Sequence, residues 1–323
     1  MKRWMTCCFL LLFWAGGVAG EPLKKASLIL LWVPQAQFAG YYMAVEKGLY
    51  RKHGIDLSII NGGSNQNPSE SLRDGRADFA VLWLTTALQR RSEGLPLIHI
   101  AQIVQQSSLL LVTKKSSGIN QFTDLKDQKV GLWGGDLDIP QRSAFDHYRL
   151  QVKRVPQSET VNLFLRGGVT ATSAMWYNEY HTILNAGVNA EELTVFALKD
   201  HGANFPEDGL YTLQKTVQSD PQLVEAFVRA SLEGWDYAFA HPDETLDVLL
   251  RTMKKARLPA NRMHQRWMLA RMQDLQRPAG DQTRPGVLNR QDFQFVTQEL
   301  QRIGLIRGAI AYDEFVKARR AFP

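Results

Sequence analysis

The residues best placed to do chemistry are aromatic, and the chemistry they offer is non-covalent. Trp32 ends the apolar run Leu28–Trp32, and Gln35, Phe38, Tyr41 and Tyr42 follow it closely. Trp83 follows Phe79–Leu82, with Thr85 and Thr86 just behind. Trp133 ends Val130–Trp133 before Gly134-Gly135-Asp136, and Trp176 and Tyr177 follow Ala171–Met175. Aromatic faces stack on flat heterocycles and shield a cleft from water. In an α/β sheet, ligands bind in the crevice at the carboxyl ends of the strands. Aromatics at such ends therefore mark the walls of a small-molecule site. Thr85 or Thr86 can cap a helix whose free N–H groups attract an anionic or carbonyl oxygen. Gly40 lets backbone come close, as a bulky side chain would not. Gly62-Gly63-Ser64-Asn65 could cradle an anion in the same manner as that helix start, but a Gly-Gly pair after a strand reads first as a turn.

The elements that must position these residues alternate short apolar strands with helical patterns, the signature of α/β architecture. One set runs through Leu28–Trp32, Ile55–Ile60, Phe79–Leu82, Ile98–Ile103 and Leu109–Thr113, with helices expected at 40–52, 69–74 and 85–93. A second set runs through Val130–Trp133, Val152–Val155, Ala171–Met175 and Thr194–Leu198. Residues 114–118 and 199–209 are expected to cross between the two units, and Leu210–Gln214 to return to the first. In the second crossing, Glu207 and Asp208 can reach the cleft. From Asp220 onward the pattern is helical, at 223–239, 243–256, 261–273 and 291–303, with Pro242, Pro259 and Pro278 as punctuation. This section is expected to pack on the lobes and to carry little of the site.

The N-terminus reads as a secretory signal peptide over residues 1–20. Lys2 and Arg3 precede an apolar stretch too short to span a bilayer, and small residues lead to Gly20. Cys7 and Cys8 would leave with it, excluding disulfides, thiolate metal sites and a cysteine nucleophile from the mature chain. The formal charge of +6 would lose the contributions of Lys2 and Arg3, and no basic and aromatic stripe points to nucleic acid. The 7 histidines are dispersed, without HExxH or a close ligand pair. The Gly134-Gly135 turn lacks the lysine and hydroxyl of a P-loop. No nucleophile–base pair can be read, and no cofactor is implied.

The segment Trp32-Val33-Pro34-Gln35-Ala36-Gln37-Phe38-Ala39-Gly40-Tyr41-Tyr42 resembles the first loop and helix of periplasmic solute-binding proteins related to binders of thiamine-pyrimidine precursors. These are cousins of the nitrate, taurine and sulfonate binders of ABC importers. In the family pattern Trp-x-Pro-Asn-x-x-His-x-Gly-x-Tyr, Trp32, Pro34, Gly40 and Tyr42 fit. Gln35 stands for the Asn and Phe38 for the His, which removes a polar contact and favours a different or more apolar ligand. The segment Trp176-Tyr177-Asn178-Glu179 resembles the family's Tyr-Asn-Glu or Trp-Glu segment, so Glu179 is carried over as an acceptor for a nitrogen heterocycle.

The resemblance implies a type II periplasmic binding-protein fold, with two lobes closing on a cleft. Lobe one would be 21–115 with 205–323, and lobe two 116–204. It implies a periplasmic, monomeric protein whose partners are a small molecule and an ABC permease and ATPase. Sensing through a membrane receptor, or an anion ligand such as a sulfonate, are the alternatives. Related enzymes make pyrimidines with an active-site His and a Cys-rich motif, and neither feature is present in the mature chain. The expected contacts are thus Trp32, Gln35, Phe38, Tyr41, Tyr42, Trp83, Thr85, Trp133, Trp176, Tyr177, Glu179 and Asp208.

Overall fold

The computed structural model describes residues 22–280 and 284–317; the expected signal peptide lies outside them. The chain begins with β1 (Lys24–Ile29), followed by α1 (Ala39–Glu46), α2 (Leu49–Lys52) and β2 (Ile55–Ile60). Next come α3 (Pro68–Arg73), β3 (Phe79–Trp83), α4 (Leu84–Ser92) and β4 (Leu97–Gln102). β1 starts earlier than its apolar run because its register pairs Lys24 with Ile55 through Ile29 with Ile60. Leu31 and Trp32 are thereby released into the loop beyond the strand. The single helix expected over 40–52 is two, broken where Gly48 takes a left-handed φ of 65°.

The chain then leaves this sheet and builds a second one. β5 (Leu109–Lys114) and β6 (Lys129–Leu132) are followed by α5 (Ile139–His147), β7 (Lys153–Pro156) and α6 (Asn162–Leu165). β8 (Ala171–Met175), α7 (Glu179–Asn185) and β9 (Leu193–Ala197) complete it. β10 (Asp208–Leu213) returns to the first sheet. The sheet orders are β2-β1-β3-β10-β4 and β7-β6-β8-β5-β9. The two are built alike: three parallel strands, then one antiparallel strand at the fourth position, supplied by the chain as it arrives from the other sheet.

β5 corrects one expectation. It was expected in the first unit, with the crossing at 114–118, but it pairs antiparallel with β8 and β9. The passage is therefore residues 103–108. An almost wholly buried apolar strand carries no local mark of which sheet will accept it; pairing partners decide.

The C-terminal part is α8 (Gln214–Ser219), α9 (Pro221–Ala240), α10 (Pro242–Lys255), α11 (Arg262–Gln276), α12 (Arg290–Arg302) and α13 (Tyr312–Phe315). Asp220 caps α9 by accepting from Leu223 N at 3.0 Å, with Pro221 in the first turn. α9 covers the first sheet, where Phe227 stacks on Phe79 at 3.8 Å. Its contact with α1 is backbone on backbone. A Cβ on Gly234 would collide with the Gly40 carbonyl, and one on Gly40 with the buried Trp235 ring. The close approach expected of Gly40 is thus to a helix.

Because neither α1 nor α9 can retreat from a packed core, Gly234→Ala should cost about 1–3 kcal/mol. Urea unfolding of the variant checks this, and an unchanged midpoint would place the helices further apart.

Candidate functional site

The ends of equivalent strands from the two sheets face each other across a cavity of about 610 Å³. One wall comes from the loops after β1, β2 and β3, and the other from those after β6, β7 and β8. Both walls touch at the rim. Ser64 Oγ donates to Glu159 Oε1 at 2.6 Å, and the Arg90 guanidinium lies 3.5 Å from Asp136 Oδ2.

Trp32, Gln35 and Trp83 line the first wall, as expected, and Trp133, Tyr177 and Glu179 line the second. Trp133 is held by its indole N–H, which donates to Ser158 O at 3.2 Å. Gln35 is held through a chain that runs under the floor. Its Nε2 donates to Gln37 Oε1 at 2.7 Å, and Gln37 Nε2 donates to Asp208 Oδ2 at 2.9 Å. An ionised carboxylate only accepts, so in that state Asp208 dictates which way both amides point.

Other expected contacts lie elsewhere. Phe38, Tyr41 and Tyr42 are in the hydrophobic core. Tyr41 meets Trp235 edge to face at 5.7 Å, and Tyr42 Oη reaches Asn61 at 3.2 Å. A short 3-10 turn at Ala36–Phe38 leads directly into α1 and turns these rings inward, away from the cleft. Thr85 is buried and does not cap α4; Thr86 lines the cavity instead. Trp176 lies in the seam between the lobes, with the Arg271 guanidinium over its ring at 4.7 Å. Asp208 sits behind the floor and does not line the cavity.

Several lining residues were missed. Arg90 follows Thr86 by one helical turn, and that i, i+4 spacing is the signal that finds it. Its charge is already engaged by Glu93 at 2.8 Å as well as by Asp136. Residues 63–68 line the cavity too, in the stretch read as a turn. Gln37 and Asn178 carry no periodic signal; only the floor chain and the facing wall reveal them. The C-terminal helices contribute from behind: Gln265 Oε1 accepts from Ala36 N at 2.7 Å, fixing the loop that carries Gln35 and Gln37.

Burial raises Asp138, against the pull of Arg154, and raises three carboxyls of the cleft and the crossings further. Glu179 is pushed up to about 7, opposed by the Met175 N–H and by Asn178. Asp208 is pushed up to about 7, opposed by Gln37 and by the nearby Trp83 indole, whose N–H completes no hydrogen bond among the described residues. Glu207 is pushed up to about 8, although it accepts from Ser108 N at 2.6 Å, Ser108 Oγ at 2.8 Å and Ser107 Oγ at 3.2 Å. Those bonds tie the return crossing to the outgoing one, so Glu207 braces the hinge.

A family model described as NMT1/THI5 like matches residues 35–245. The chain is 27% identical over 253 residues to the riboflavin-binding protein RibY of Chloroflexus aurantiacus, covering 74% of this chain and 70% of that one. It is 22% identical over 246 residues to the formylaminopyrimidine-binding protein of Halalkalibacterium halodurans, covering 74% of each. It is also 24% identical to the 4-amino-5-hydroxymethyl-2-methylpyrimidine phosphate synthase of Legionella pneumophila, covering 73% of this chain and 76% of that one. Among solved structures, the periplasmic aliphatic sulphonate binding protein SsuA of Escherichia coli superposes with a TM-score of 0.71 at 14% identity, covering 90% of this chain and 91% of that one. The periplasmic nitrate-binding protein NrtA of Synechocystis does so with a TM-score of 0.64 at 15% identity, covering 90% and 84%. The likeness establishes the two-lobed periplasmic binding-protein fold.

The raised carboxyls set a pH dependence. The folded chain keeps protons up to about pH 7–8 that an unfolded chain releases near pH 4, so stability is lost as pH rises through that window. His99 and His264, both lowered to about 4 chiefly by burial, act in the opposite sense only below about pH 6.5. The melting temperature of the ligand-free protein should therefore fall between about pH 6.5 and 8.5, and Glu207→Gln should flatten the fall. A flat wild-type profile would mean these carboxyls are not desolvated.

Proposed function

This chain belongs to the NMT1/THI5-like family, and on that premise we propose that it is a periplasmic solute-binding protein. It captures a flat nitrogen heterocycle by closing two lobes and delivers it to an ABC permease and ATPase. The lobes are taken as residues 22–102 with 208–280 and 284–317, and residues 109–197.

One observation carries the reading. Indole rings from both sheets, and the Tyr177 phenol from the second, face a shared cavity whose polar lining is mostly side-chain amides, with Glu179 free of any cationic partner among the described residues while Arg90, Asp136 and Glu159 are engaged in rim contacts. Stacking surfaces with a few fixed acceptors suit heterocycles that present ring or amino N–H groups. The cavity, about 610 Å³, lies within the range of drug-sized ligand pockets, roughly 300–1,000 Å³, and exceeds what a nitrate or a small sulfonate would fill. Arg90, the guanidinium in the cleft, is engaged by two carboxylates, which disfavours an anion. The relatives named as riboflavin- and formylaminopyrimidine-binding proteins point the same way.

Binding is favoured over synthesis, although one relative is named as a synthase. Phe38 stands where the resemblance places the enzymes' histidine, and it is packed in the core. Among the described lining residues, Ser64 and Glu159 bring a hydroxyl to a carboxylate, but that contact is a bridge between the two walls at the rim, and no histidine lines the cavity beside it.

Titration of the mature protein with riboflavin, formylaminopyrimidine, hydroxymethylpyrimidine, taurine and nitrate tests the reading; binding confined to the anions would overturn it. With whichever heterocycle binds, Trp83→Ala and Trp133→Ala should each weaken affinity by about 1–3 kcal/mol. Trp176→Ala, outside the cavity, should leave it within about threefold. Unchanged affinity in both cleft variants would remove the site from this cavity.

A further inference from the structure

A chain of side-chain hydrogen bonds leaves the cleft at Glu179 and ends in the seam between the lobes. Asn178 Nδ2 donates to Glu179 Oε1 at 2.7 Å. Asn178 Oδ1 lies 2.9 Å from His264 Nε2 on α11. His264 Nδ1 lies 2.9 Å from His181 Nδ1 on α7. His181 in turn stacks on Trp267 at 4.9 Å, and the Trp267 indole donates to Trp176 O at 3.0 Å. Chemistry imposes one direction on this chain. An ionised Glu179 only accepts, so Asn178 turns its NH₂ toward the cleft and its oxygen toward His264. Nε2 of His264 must then carry a proton, leaving Nδ1 of the neutral ring as an acceptor. His181 must present Nδ1–H to it. A protonated Glu179 can instead donate, which permits the amide to reverse and both rings to exchange tautomers.

We propose that Asn178, His264 and His181 form a relay that transmits the charge state of Glu179 to the lobe seam, making them positioning residues for ligand capture. The relay rests on these contacts; its bearing on capture rests on the binding reading above. A ligand N–H bonded to Glu179 favours the ionised form. It thereby selects one tautomer pair where α7 of lobe two meets α11, which is fixed to lobe one through Gln265 and Ala36. One added proton can still be shared between the two imidazoles. A second sets N–H against N–H and breaks the seam.

The other groups around the imidazole pair are neutral or paired among themselves, which leaves Glu179 as the group whose titration sets the tautomers. Asn185 is neutral; its amide, with Nδ2 placed 3.1 Å from His181 Nδ1, must turn its oxygen to that N–H while His181 donates, and offers its NH₂ when the tautomers exchange. On α11, Arg262 and Arg266 pair with Asp243 of α10, and Arg262 also with Asp247. Arg271 pairs with Asp274 at 2.7 Å. Tyr180 on α7, with Glu191 near it, is raised by burial and stays neutral. Burial holds both histidines below the usual range.

The test is ¹⁵N imidazole NMR of the ligand-free, full mature protein. Above about pH 8 the wild type should show His264 as the Nε2–H tautomer and His181 as Nδ1–H, and the tautomers should redistribute with a midpoint near 7 without either ring gaining charge. In Glu179→Gln that pH step should vanish, with the minor tautomers rising to about half. Asn178→Ala, which leaves Glu179 in place, should abolish the step as well. Tautomers that ignore both substitutions, or that follow pH identically in wild type and variants, would overturn the relay. Because no ligand is present, failure of the binding assignment cannot produce that result.

Discussion

Everything the cleft does depends on how two strands of chain are held where they pass between the sheets. Glu207 is buried there, and its carboxylate accepts the Ser108 N–H and the Ser107 and Ser108 hydroxyls of the opposite passage. Gln102 adds a second tie, donating from Nε2 to Val104 O at 2.8 Å and Asp208 O at 3.2 Å. Asn204 adds a third by accepting from Ser107 N at 3.0 Å. Buried polar groups are costly unless paired, so this cluster gives the two passages a defined geometry. That geometry sets which strand ends can face each other.

From that constraint the site follows. Each sheet presents the ends of three parallel strands to the cavity, and each contributes aromatic faces with fixed acceptors behind them. The floor is rigid because Asp208 lies next in sequence to Glu207 and orients Gln37, which orients Gln35. Hinge and floor are thus adjacent residues of one strand start. The carboxyls concerned are raised by the same burial that makes them good organisers, so the site is less stable in its fully ionised state than a surface of ordinary acids would be.

The C-terminal helices matter more to this arrangement than their polar, amphipathic sequence indicates. α11 braces the Gln35–Gln37 loop through Gln265 and meets lobe two through His264 and Trp267. α12 meets lobe two on its other side, where Ser143 Oγ donates to Glu299 at 2.5 Å and Arg302 pairs with Asp146. Helices that line none of the cavity hold both of its walls.

Local physics made much of this legible. Alternating apolar strands and amphipathic helices defined two α/β units, and Ile55–Ile60 and Ala171–Met175 are strands at the residues their composition marks. Trp32, Trp83, Trp133 and Tyr177 were recognisable because a side chain just past a strand end reaches the crevice in any sheet of this kind. Which sheet β5 would join was decided by its neighbours, since a buried apolar strand is equally acceptable to either. Whether an aromatic faces core or cleft was also decided late. The helical phase that buries Phe38, Tyr41 and Tyr42 is set by α9 pressing on Gly40, a contact some two hundred residues away along the chain. The sequence by itself determined the fold class and the positions at which ligand contacts could arise. Only the tertiary structure decided which of them share a cavity, because that depends on pairings and packing between segments that carry no local record of one another.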